Sequence, residues 1–480
     1  MPPPLFQRVL FLICPTGSYC REDRCQSFFD PKLIPAMRPP LEECEAAGAI
    51  HAAGAHAYVI DAPAMKSSDE EVLRNLTQYN PDLIILSVTF GSLAADLRWA
   101  KRLKASYPNT PLGLRGAPCY VQAENLLAKH TYIDFCARGD YEVVLSAILR
   151  SGIENAAGVV ARSCSGVTIV NSPAFAENLD ELPFPDRSCI NQALYRARFL
   201  GKPQATVRVQ RGCPFPCTYC LVHTVSGKKA RHRSVAHIIR EVRALMKEGI
   251  RYIYFRADTF SVNRAWTLEL CAALARECPG VRWVTTTRAE CVDDELLAAF
   301  HAAGCYGLSF GIDVASATIA ERVRKPLLPD QAAQAMRLCD THGIISLAYI
   351  MIGFIWDTHA TLTEAQQFLK YIRPDLVTIH FAHPYPGTAY YEAAMAEGTK
   401  VVSNHAQAEP ACAVSGLSIN EIRGYGNKML RQHYLRPAVL FSLAKKLLPG
   451  TATLRVAPER LKSHAERGGP GKPLLKSRTH

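Results

Sequence analysis

The sequence predicts an α/β chain: a doubly wound, Rossmann-like parallel-sheet domain, then a partial (β/α)6 TIM-type barrel, then a small C-terminal helical region. Three observations predict it. Short apolar runs alternate with helix-length segments through residues 1–155, the pattern of a parallel sheet covered on both faces. A second series of six βα units begins near Ala205 at roughly 35-residue spacing, as in barrels that carry chemistry at the carboxyl ends of their strands. The repeat stops near Asn404.

Each element follows from its local pattern. The first-series strands are RVLFLI (8–13), HAYVID (56–61), DLIILSV (82–88), TPLGLR (110–115) and YIDFCA (132–137). The helices between them span Leu41–Ala53, Asp69–Gln78, Ala94–Ser106, Val121–Lys129 and Tyr141–Arg150. A ligand of such a domain sits beyond the strand carboxyl ends, at a topological switch point. The second series has strands ATVRVQ (205–210), RYIYFR (251–256), RWVTTT (282–287), YGLSFGI (306–312), ISLAYIMI (345–352) and LVTIHFA (376–382), with helices such as Val235–Lys247, Ala265–Ala275 and Asp294–His301. A basic helical stretch, Glu421–Lys446, follows. The domains are expected at 1–160, 204–400 and 401–480, with 161–203, acid- and proline-rich, as a linker.

Composition narrows the function classes. The chain has 480 residues, 48% apolar and 20% charged, as in soluble globular proteins. No run approaches the about 18–20 apolar residues of a membrane span. The start, MPPPLFQRVLFLICP, has an Arg inside its apolar run and no small-residue cleavage site, so it reads as a buried strand and not as a leader. The expected location is cytoplasmic. Net charge is +12, with a basic tail at 455–480. That tail has no interleaved aromatics, so no nucleic-acid partner is expected; it leaves a peripheral membrane contact open.

Seventeen cysteines are scattered along the chain. Most should pack as small apolar residues. RGCPFPCTYC (211–220) differs, because Cys213, Cys217 and Cys220 fall at C-x3-C-x2-C directly after the first barrel strand. Two readings compete. His223 could complete a Cys3His zinc shell, although such sites usually draw on a second ligand pair elsewhere. Alternatively, three thiolates hold three irons of a cubane cluster and leave the fourth open to a small molecule. Pro214 and Pro216 limit the loop's freedom, and Arg211, Lys228, Lys229 and Arg231 would soften the repulsion among thiolates.

CPFPCTYC after the first strand of a βα series resembles the signature of the radical S-adenosylmethionine (SAM) superfamily. The resemblance implies a 4Fe–4S cluster on the three cysteines. Its open iron would chelate SAM, and one-electron reduction by an external reductant would yield a 5′-deoxyadenosyl radical. It further implies that Tyr219 lies near the adenine and that Asp258, in FRADTF, meets the methionine amino group. Asp313, in FGIDVAS, stands where the family often has Glu, and would reach the ribose. Gly353, in YIMIGFIWDT, would let backbone approach the adenine. Arg288 would reach the SAM carboxylate. PYPGT (384–388) matches a late motif of this branch.

The first domain resembles the cobalamin-binding domain of class B members. The matching stretches are ICPTG (13–17), MRPPLEECEAAGAI (37–50), LSVTFGS (86–92), LRGAP (114–118), ARGDYE (137–142) and NLDELPFPDR (178–187). The chain lacks the D-x-H-x-x-G pattern that supplies a cobalt-ligating histidine; AIHAAG (49–54) mimics only its end, so His51 is expected to be an ordinary helix residue. Ser87 and Thr89 would then contact cobalamin, with Gly116 and Gly139 permitting close approach. The role of CREDRC (20–25) stays open. The resemblance implies methylation of an unactivated carbon in a small-molecule or lipid substrate, with cyclisation or oxidation as the alternative and a non-catalytic zinc-bound scaffold as the alternative from another class.

Overall fold

The structure, a computed structural model, describes residues 3–17, 37–163, 165–195, 201–401, 410–414 and 416–447. CREDRC and the basic tail lie outside the described residues.

Seven strands form the first sheet: β1 (Arg8–Ile13), β2 (His56–Asp61), β3 (Leu83–Ser87), β4 (Leu112–Arg115), β5 (Phe135–Ala137), β6 (Val159–Arg162) and β7 (Thr168–Val170). Their spatial order is 2-1-3-4-5-6-7. β1 to β5 run parallel, which places the switch point between β1 and β3. The helices are α1 (Leu41–Ala52), α2 (Ala62–Met65), α3 (Asp69–Tyr79), α4 (Leu93–Ser106), α5 (Ala117–Lys129) and α6 (Tyr141–Ser151). Two apolar layers cover the two faces of the sheet.

The expected doubly wound parallel sheet is present, with an antiparallel extension. β6 and β7 extend it antiparallel, and β7 lies in the segment read as linker. β7 alternates exposed and half-buried residues with only three positions, too short for a periodicity signal.

The barrel begins with β8 (Gln204–Arg208) and β9 (Gln210–Arg211); β9 pairs antiparallel with β10 (Arg231–His232). Then come β11 (Tyr252–Arg256), β12 (Arg282–Thr287), β13 (Cys305–Asp313), β14 (Ile345–Ile352) and β15 (Leu376–Phe381). β8 and β11 to β15 form a six-stranded parallel sheet in sequential order. Around it lie α7 (Val222–Val225), α8 (Val235–Lys247), α9 (Arg264–Glu277), α10 (Asp294–Ala302), α11 (Ala317–Arg322), α12 (Pro329–Thr341), α13 (His359–Ile372) and α14 (Ala389–Ala396). Alternate strand residues such as Ala205, Val207, Ile253, Phe255, Leu308, Phe310, Ala348 and Ile350 join the helix-side core. The residues between them face the inside of the curved sheet.

The expected single helix 421–446 is two, α15 (Ile419–Tyr434) and α16 (Pro437–Leu447). Pro437 fits the first turn of a new helix and cannot continue an old one. No helix among the described residues is long and apolar enough to cross a membrane.

The two domains meet through α1. Residues Leu41–Ile50 are all buried, including Glu42, Glu43 and Glu45. Arg208 bonds Glu45 at 2.7 Å and Glu42 at 2.8 Å. Arg211 reaches Asp140 at 2.7 Å and Glu142 at 2.6 Å. Arg231 bonds Asp140 at 2.7 Å. Arg211 and Arg231 therefore clamp the domains together and do not offset the thiolates as the sequence suggested; their partners come from α1 and from the start of α6, far away in sequence.

Candidate functional site

The cysteine loop is fastened at both ends before any ligand is considered. Gly212 has φ +85°, and a Cβ there would stand 2.1 Å from the Lys229 carbonyl oxygen, so only Gly fits. The Gln210 side chain accepts from the backbone N–H of Asp258 at 2.7 Å and of Thr259 at 3.3 Å, and donates to the Gly212 carbonyl. Gly212 N–H donates to Asp258 Oδ2 at 2.7 Å. At the far end Thr218 N–H donates to the Val323 carbonyl, and Tyr390 N–H donates to the Thr218 carbonyl, both at 3.0 Å. The loop is thus tied to the ends of β11 and α11 and to the start of α14.

Cys213, Cys217 and Cys220 are half-buried. Burial pushes the Cys213 thiol up and the Cys220 thiol up to about 12, so metal loading must displace protons. Among the described residues no three Cys, His, Asp or Glu side chains gather closely enough to hold one metal ion. A zinc ion needs all its donors about 2.0–2.3 Å from one point, whereas thiolates around a cubane bind separate irons. One ring nitrogen of His223, Nε2, lies 2.9 Å from the Cys213 carbonyl oxygen and supports the loop backbone. With His223 engaged on the loop backbone, the donors left are three thiolates, a set that fits a cubane cluster.

The barrel residues singled out from the sequence converge on this loop. The Tyr219 hydroxyl donates to Asp313 Oδ2 at 2.8 Å, and its ring meets Phe354 edge-on at 5.9 Å, beside Gly353. Asp313 has φ +60° at a register shift of β13 against β14, a strained geometry typical of functional positions. Its carboxylate also accepts from Lys325 Nζ at 2.5 Å. Burial alone would raise the Asp313 pKa; Lys325 and Tyr219 hold it below the ordinary value. Gly353 has φ +79°, and its N–H donates to buried Asp357 at 2.7 Å. Arg288 lies against Cys217, its Nη1 3.5 Å from Sγ. Two buried hydroxyl oxygens here have no hydrogen-bond partner among the described residues: Thr218 Oγ1 and, three residues past Asp313, Ser316 Oγ. Such atoms suit a polar ligand at the loop.

The four first-domain residues do not converge on an open crevice. The Ser87 hydroxyl donates to Glu43 beneath α1. Thr89 pairs with Ser92 at 2.8 Å, and both are buried. Gly116 and Gly139, both at φ +126°, are filled by protein: a Cβ at either would lie 2.0 Å from the carbonyl oxygen of Val88 or of Ala174. At both positions the close approach that the structure shows is to neighbouring backbone. His51 sits on α1 and binds Asp186 of the connecting segment at 2.6 Å.

The carboxyl edge of the first sheet nonetheless meets the barrel mouth. Phe90 stacks on Tyr385 at 5.4 Å, and with Ala117, Leu221 and Val225 they form a small apolar cluster across the domains. Leu221 directly follows Cys220, so the cysteine loop and the switch-point edge share one boundary. Sequence reasoning missed Gln210, Glu290 and Lys325. Each acts on a residue close in space, and none belongs to a recognisable spacing.

Residues 207–369 match the family model described as the radical SAM superfamily. That match lies within the barrel, and the family it describes implies a 4Fe–4S cluster and SAM. The chain is 26% identical over 392 residues to an uncharacterized methyltransferase of Pyrococcus horikoshii, covering 80% of this chain and 85% of that one. It is 25% identical over 365 residues to the anaerobic magnesium-protoporphyrin IX monomethyl ester cyclase of Rubrivivax gelatinosus, covering 72% of this chain and 65% of that one. Its fold is similar to that of TsrM from Kitasatospora setae, a radical SAM methyltransferase solved with cobalamin and a [4Fe–4S] cluster bound. That match has TM-score 0.62 at 16% identity and covers 82% of this chain and 76% of that one.

Proposed function

We propose that this chain is a cobalamin-dependent radical SAM enzyme that methylates an unactivated carbon of a small molecule or lipid. The observation that carries the reading is the fastened three-cysteine loop at the barrel mouth, with Tyr219, Asp258, Arg288 and Asp313 gathered around it. When bound, the cluster supplies the electron that splits the sulfonium bond of SAM, and a corrinoid supplies the methyl group. Cys213, Cys217 and Cys220 hold the cluster. Gln210 and Asp258 fix the start of the loop. Lys325 keeps the Asp313 carboxylate charged and aimed at the Tyr219 hydroxyl, where ribose hydroxyls would compete for it. The Phe90–Tyr385 cluster excludes water where the two domains meet. The cobalamin bound in TsrM, which is similar in fold, supports a corrinoid at the switch-point edge, and no residue of this chain is assigned to cobalt. Exposed Leu440 and Phe441 on α16 support a peripheral membrane contact, and the electron comes from an external one-electron reductant.

A second reading keeps the radical chemistry but replaces methylation with cyclisation or oxidation. It is favoured by Ser87, Thr89, Gly116 and Gly139, all of which are engaged within the protein. Anaerobic reconstitution with iron, sulfide and hydroxocobalamin tests both. Formation of 5′-deoxyadenosine from SAM with a co-eluting corrinoid spectrum supports the first reading. Formation of 5′-deoxyadenosine with no corrinoid supports the second. Zinc without iron or sulfide overturns both.

A further inference from the structure

We propose that Arg288 and Glu290 together set the reduction potential of the cluster through the sulfur of Cys217, a positioning role that rests on the functional reading above. Arg288 follows the last residue of β12 and is 6% exposed. Three contacts fix its side chain. Nη1 donates to Cys217 Sγ at 3.5 Å. Nε donates to Glu290 Oε1 at 2.6 Å. The guanidinium carbon lies 3.9 Å from the ring centre of Phe215, which sits between Cys213 and Cys217 in the loop. All three contacts come from protein, so the pose does not wait for SAM.

Reduction adds one negative charge to a cluster, and a hydrogen bond to a ligand sulfur is one of the levers on its potential. A buried cation donating to that sulfur stabilises the reduced form and raises the potential. Glu290 acts in the opposite direction by offsetting part of the arginine's charge. Other nearby cations are placed differently. Lys325 Nζ is held by Asp313 and by the Gly311 carbonyl oxygen. Lys228 and Lys229 are exposed, where solvent and salt screen them. Arg288 Nη2 also lies against Glu290 Oε1, so one guanidinium is shared between the Cys217 sulfur and the glutamate. The planar fork suits that double duty, and a lysine would not reproduce it.

The test is an anaerobic dithionite titration of reconstituted protein, with the midpoint read from the electron paramagnetic resonance signal of the reduced cluster. The wild type is compared with Arg288→Met, Arg288→Lys and Glu290→Gln, each with and without SAM. Arg288→Met should lower the midpoint, Arg288→Lys should lower it less, and Glu290→Gln should raise it. A merely structural role would not give opposite signs for the two partners. Unmoved midpoints, or shifts of the same sign in Arg288→Met and Glu290→Gln, overturn the proposal. If Arg288→Met takes up no iron, Arg288→Lys and Glu290→Gln still decide it by the same signs. Failure of the functional reading itself shows earlier and separately, as wild-type protein that binds no iron and sulfide.

Discussion

At the cysteine loop, His223 spends its Nε2 contact on the Cys213 carbonyl. His223→Ala should therefore cost about 1 kcal/mol of loop stability, one net hydrogen bond, and leave the iron and sulfide content unchanged. Cys213→Ala, Cys217→Ala and Cys220→Ala should each lose the cluster; metal analysis after anaerobic reconstitution reads all four. A zinc site closed by His223 would reverse the first result. Gly116 offers a structural counterpart. Its φ of +126° and the Val88 oxygen 2.0 Å from any Cβ make Gly116→Ala destabilising by about 2–4 kcal/mol, measurable by urea denaturation. The cysteines were legible because their message is local, three ligands within eight residues. Lys325 and Glu290 were not, because their roles exist only once Asp313 and Cys217 have been brought to them.

Among the elements, α1 shows how far a sequence pattern can carry and where it stops. Its span was legible from alanine-rich helix propensity, and β1, β2, β12 and β14 were legible as bounded apolar runs. The environment of α1 was not legible. All three glutamates of LEECE are buried: arginines from β8, β9 and β11, more than 160 residues away, face Glu42 and Glu45, and Arg115 of β4 faces Glu43. Buried ion pairs are strongly destabilised when one partner is removed, since the other keeps its desolvation cost. Arg208→Met leaves Glu42 and Glu45 short of their shared cation and should cost about 3–5 kcal/mol. Limited proteolysis should then cut the connection between the domains sooner than in the wild type. Glu45→Gln, which keeps the shape and removes one charge, should have a smaller effect. Equal resistance of Arg208→Met and the wild type would mean that α1 docks mainly through its apolar residues.

The molecule as a whole joins two α/β units whose ligand edges face one another, and its tolerance of acid follows from what that packing buries. Burial lowers the pKa of His232, His237 and His433. His232 leans on Trp266 at 4.6 Å and His237 on Phe184 at 4.7 Å, while His433 on α15 is 1% exposed. Each is neutral in the fold at a pH where the unfolded chain, with a histidine pKa of about 6.5, binds a proton. Stability therefore rises with pH wherever the unfolded state holds more protons. The contribution is complete above about pH 6.5 and is lost as pH falls from there toward the lowered folded values. The urea midpoint should be flat between about pH 7 and 8 and fall steadily below about pH 6.5. His433→Gln should flatten part of that slope, because glutamine takes up no proton in either state. A midpoint that held constant from pH 7 down to 5 would show that the buried histidines are protonated within the fold at no cost, contrary to the burial that lowers their pKa.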